Sequence, residues 1–200
     1  MAPPKSPLGL PEIDTSDLEL FLSESQLKRF RRRRPDFVRL VNKIISELGL
    51  LGEIEILRFC FPTRGRAEGY READHPWPSK SFWIDIYPNR YMDERLLRHE
   101  LGHEADRRNP KMLYDSAIHE RWKDNCWALD IAANISLDSR LGKFGLGLRR
   151  RRKEFLDALG EKHISVFRTS WSAPPQTWPE IEALAQHLLA LRRIDSDKST

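Results

Sequence analysis

Two histidines four residues apart constrain this chain more than any other feature in it. Residues 99 to 103 read His99-Glu100-Leu101-Gly102-His103, inside a stretch where Leu96, Leu97 and Leu101 give a helix an apolar side. Positions i and i+4 of an α-helix lie one above the other, so both imidazoles can reach a single zinc ion while Glu100 stands beside it. The stretch carries its own boundaries: Asp93 can cap the start, Gly102 permits close packing against a neighbour, and Asn109-Pro110 ends it. A carboxylate beside the first ligand can take a proton from zinc-activated water and return it to a leaving amine, the usual arrangement for peptide hydrolysis. The simpler alternative is a pair of surface or core histidines without metal.

The rest of the chain suits a globular frame for such a site. Its 200 residues, 40% hydrophobic and 32% charged, are enough for one domain with tails. No apolar run approaches the roughly 20 residues that span a bilayer, so no membrane contact is expected. The residues behind Lys5 do not form the apolar core of a secretory signal, and the expectation is a cytoplasmic protein. Cys60 and Cys126 are too few for a disulfide framework and read as buried free thiols.

The net charge of +4 is unevenly placed. Lys28, Arg29 and Arg31 to Arg34 form one basic block, and Arg149 to Arg152 with Lys153 form another. Such blocks can grip phosphates with salt-sensitive affinity, which makes weak nucleic-acid contact through Arg31, Arg32, Arg33, Arg34 and Arg149 to Lys153 one expectation. Solvated helix faces are the other.

Residues 1–22 lack helical or strand periodicity and read as a flexible N-terminal segment, 23–194 as a single domain, and 195–200 as a disordered tail. Pro35 can open a helix whose Phe37, Leu40, Val41, Ile44, Ile45 and Leu48 recur at steps of three and four, closed by Gly49. Ile54 to Phe61 and Phe82 to Tyr87 read as strands around a polar loop containing His75. Phe82 to Tyr87, just before the histidine helix, is a candidate edge for an extended peptide, or else an ordinary sheet strand. Ser116 can cap a long helix that Gly142 stops near Leu141. Glu154 to Leu159 reads as a short helix, and Pro179 can open a last one through Leu191.

A catalytic zinc needs a third protein ligand. Asp106, seven residues past His99, points within roughly 20° of the same helix face but lies a turn beyond His103, which suits an outer-shell group that orients a histidine. On the long helix, Asp130, Asn134 and Asp138 recur every four residues among Leu129, Ile131, Ala132, Ala133, Ile135 and Leu137. Carboxylates buried on such a helix need partners, and a metal is one such partner. Tyr114, Tyr87, Tyr91, Arg90 and His119 are candidate donors to a tetrahedral oxyanion.

The HExxH run, together with a later helix bearing an acidic residue and a polar one four further on, resembles the gluzincin metallopeptidases, including the small minigluzincin type. The metzincin extension does not match, since Asp106 and Asn109 stand where it has glycine and a histidine or aspartate. Over residues 80–142, the resemblance implies Asp130 as third zinc ligand and Asn134 in support of a histidine, with Asp for the usual Glu and Asn for the usual Asp. Asp138 is the alternative ligand, and Glu120 or His119 are further ones. The implied fold is α+β: a small, mostly helical zincin-like domain with a short antiparallel or mixed sheet, an HExxH helix and a long helix completing the site. The implied activity is a zinc-dependent peptidase acting on a peptide or protein substrate, with Glu100 as general base and acid. A nucleic-acid-associated protein, docked as SprT-like proteases are, is the competing reading, although the chain has no CxxC pair.

Overall fold

Ser23 and Gln26 bond each other's backbone in a capping box, and from that start the longest early helix runs on without a stop, α2 (Glu24–Glu47). It carries Pro35 inside it, where the missing N–H removes one intrahelical bond. The helix therefore does not open at Pro35, and the first basic block lies within it. The computed structural model describes residues 9–60, 69–72, 80–87 and 90–197. The His75 loop and the extreme termini lie outside these residues.

The chain divides into two compact units, residues 1–101 and 102–200. In the first, β1 (Glu12–Asp14) and α1 (Ser16–Leu20) precede α2, followed by β2 (Ile56–Cys60), β3 (Gly69–Glu72) and β4 (Ser81–Asp85). The strands form one mixed sheet in the order β1-β2-β4-β3, parallel except for β3. The antiparallel alternative falls away. Register pairs Leu57 with Phe82 and Phe59 with Ile84, so these four fully buried side chains share one face of the sheet. Phe37 of α2 packs edge-on against Phe59 with ring centroids 4.8 Å apart, which seats the helix on that face.

Two expectations are corrected here. β4 lies between β2 and β3, so both its edges are already hydrogen-bonded and Phe82 to Tyr87 cannot serve as a free edge for a peptide. Residues 12–20 are not a loose lead-in. Ile13 and Leu18 are buried, and β1 pairs in parallel with β2.

The second unit is all helical. α4 (Ile118–Trp122), α5 (Cys126–Leu141), α6 (Leu148–Leu159), α7 (Ile164–Ser172) and α8 (Trp178–Asp197) follow the residues that this unit takes from α3 (Glu94–Arg108). The helix expected from Ser116 is interrupted at Lys123–Asn125, α6 begins ahead of its basic block, and α8 continues through the first residues of the expected tail. α5 is central: Ala128, Leu129, Ala132, Ala133 and Ile135 are buried in a cluster with Phe155, Phe167, Trp178 and Leu188. Its alanines let neighbouring helices approach closely. Gly142 ends α5 at φ 56°, a conformation that side chains disfavour. No helix among the described residues is long and apolar enough to cross a membrane.

Candidate functional site

α3 is unusual in what it buries. Leu96, Leu97 and Leu101 are joined in burial by Arg98, His99, Glu100, Glu104 and Asp106. Charged groups removed from water are costly unless paired, so each of these needs a partner. The helix is well built. Asp93 accepts from the backbone of Leu96 at 3.1 Å, the cap foreseen for its start, and the helix stops at Arg108 before Pro110. Arg98 is held by Glu94 and Glu47, and Glu104 by Arg108.

His99, Glu100 and His103 lie on one unbroken helix, so helical geometry alone stacks the two imidazoles one turn apart. His99 and Glu100 are buried, and His103 is half-buried. Within the second unit, Nε2 of His103 donates to the amide oxygen of Asn134 on α5 at 3.0 Å. Gly102 makes this approach feasible: a Cβ there would come within 2.9 Å of the Leu137 side chain.

The remaining polar residues of α5 divide sharply. Asp130 is exposed on one side, and burial of its other side raises its pKa while the nearby Arg107 charge opposes the rise. Asp138 is fully buried. One oxygen accepts from the Leu146 backbone at 3.0 Å and the other from Nε of Arg151, itself only 2% exposed. Both oxygens are thus engaged in bracing the start of α6, which leaves Asp138 poorly suited to the alternative ligand role. The two oxygens of Asp106 are gripped by the two terminal nitrogens of Arg140, and among the described residues no histidine bonds them.

Arg107, one turn after His103, gathers further groups that the sequence left unranked. Its guanidinium lies 3.3 Å from Nε2 of His119 and 5.7 Å from the Tyr114 ring centre. Leu113 adopts φ 56° just before Tyr114, a left-handed turn that costs a non-glycine residue about 1–2 kcal/mol. Burial and the Arg107 charge push the His119 imidazole down to about 4, so it is neutral at physiological pH although part of the ring meets solvent. Arg107 itself carried no signal in the sequence beyond its place one turn after His103. Glu120 is exposed and pairs with Lys123.

Two imidazoles four residues apart on one helix are donors of the type that holds a divalent ion. The third place is where the donor set departs from a catalytic zinc centre. The group that meets His103 is an amide, and no cluster of three His, Cys, Asp or Glu side chains suited to a metal occurs among the described residues. Compared with known proteins, the chain matches no family model, no curated protein and no solved structure.

Proposed function

We propose that the chain is a hydrolase of the HExxH type acting on peptide bonds, with zinc as its cofactor. The observation that carries this reading is the single helix that holds His99, Glu100 and His103 at HExxH spacing, with His99 and Glu100 buried and His103 half-buried. His99 and His103 would hold the ion, and the ion would supply Lewis acidity toward water and the scissile carbonyl. Glu100 takes the proton of the attacking water and passes it to the departing amine. Low exposure of that carboxyl keeps competing solvent away from the proton it carries. Replacing Glu100 by Gln is expected to leave zinc binding intact and to abolish cleavage of a peptide library. Turnover by that variant rejects the mechanism.

A second reading, anion docking through α2, is favoured by one observation. Lys28, Arg29, Arg32 and Arg33 have no carboxylate partner among the described residues, and their spacing places them along one side of the helix. The second block is nearly neutralised. Arg150, Arg151, Arg152 and Lys153 each meet an acidic side chain, which leaves Arg149. Nucleic-acid contact, if this protein makes it, is therefore assigned to the first block.

A further inference from the structure

The contacts between α3 and α5 within the second unit fix an antiparallel register. His103 meets Asn134 and Gly102 lies against Leu137, and in keeping with that register the Arg107 charge is felt at Asp130. Moving toward the start of α3 means moving toward the end of α5. Asp130 consequently stands beside the turn that follows His103, about 6 Å along the α5 axis from the residue that meets the imidazole. We propose that position 134, not 130, is the third place of the metal site, and that this chain fills it with an amide and so binds zinc weakly and exchangeably.

This assignment rests on the zinc-site reading above and refines it. Two features of the His103 to Asn134 contact lower affinity. An amide oxygen brings no negative charge to a cation, whereas the third ligand of a zinc site built on two histidines is ordinarily anionic. In addition, the Nε2 that donates to Asn134 carries a proton in that arrangement, so a metal approaching this nitrogen has to displace both the proton and the hydrogen bond. Asn134→Asp adds the charge at nearly constant shape. Asn134→Glu lengthens the arm and serves as a second variant should the first fold poorly.

The experiment is competition for zinc ions between the full-length protein and a chromophoric chelator, with thermal unfolding as a check on folding. Wild type, Asn134→Asp, Asn134→Glu, Asp130→Asn and His103→Ala are compared. Expected is weak binding by wild type, binding tightened at least about tenfold by an acidic residue at 134, no more than about a twofold change in Asp130→Asn, and loss in His103→Ala. Binding that Asp130→Asn destroys, or that neither acidic variant tightens, overturns the assignment of position 134 while leaving a histidine-held metal standing. Absence of His103-dependent zinc binding in wild type and in both acidic variants overturns the assignment together with the zinc reading.

Discussion

Two arginine runs of similar composition are put to opposite use. In α2, Arg29, Arg32 and Arg33 extend from a helix whose opposite face buries Phe30, Phe37 and Val41. In α6, Arg151 turns inward to Asp138 while Arg150, Arg152 and Lys153 are matched by Glu154, Glu161 and Asp157. A charge run in sequence is therefore neither a binding patch nor a scaffold until its neighbours are known. The α2 run retains a field that can act on a partner. The α6 run turns most of its charge into fastening.

The sharpest way to break this contrast is Arg151→Ala. It strands the fully buried Asp138 carboxylate, and loss of one partner of such a pair costs about 3–5 kcal/mol. Chemical denaturation of the variant should show that loss, and a change near zero would refute the fastening role. Gly145→Ala attacks the same anchor from the backbone side, since its Cβ would fall 2.6 Å from Oδ1 of Asp138, and about 1–3 kcal/mol is expected. Gly102→Ala should be milder, because the atom in its way is the end of a leucine side chain that can turn aside.

Replacing Arg29, Arg32 and Arg33 together by Ala should shift stability by no more than about 0.5 kcal/mol per site, as surface changes do. If this run grips a polyanion, the slope of log affinity against log salt for single-stranded DNA should fall by about 2 in the triple variant. Equal slopes would remove the docking reading. The smallest effect concerns Arg107, an arginine set beside a base. With the folded His119 at about 4 and its ordinary value at 6.5, the unfolded chain binds more protons in between, so stability falls as pH drops through that window. His119→Gln should abolish this component. Because the ring is partly solvated, it should amount to less than about 1 kcal/mol between pH 7 and pH 5 in paired urea titrations.

Much of α3 was legible because its signals are local. Asp93, the leucines and Asn109-Pro110 lie within one stretch of chain, and the cap and stop formed where these residues stand. Local signals are also present at two other places. Ser23-Glu24-Ser25-Gln26 is a capping box, but Pro35 drew the start of α2 toward itself. Ile164, Phe167 and Trp171 recur at helical steps in α7. The sheet could not be read in the same way. Whether β4 is interior depends on which strands pair on either side of it, and parallel partners lie far away in sequence. The site was legible to the same depth: the stripe of Asp130, Asn134 and Asp138 follows from periodicity, while the choice among them depends on the offset between two helices. Arg151, the residue that engages Asp138, sits in a run that sequence alone presents as solvent-facing.

The two thiols differ in a way that serves experiment. Cys60 is buried in β2, whereas Cys126 is exposed as the first residue of α5, one turn ahead of Asp130. A maleimide dye added to the native fold should therefore attach at a single point without any engineered cysteine. The label would stand at the head of the helix that carries Asn134, ready to brighten or dim as an ion arrives.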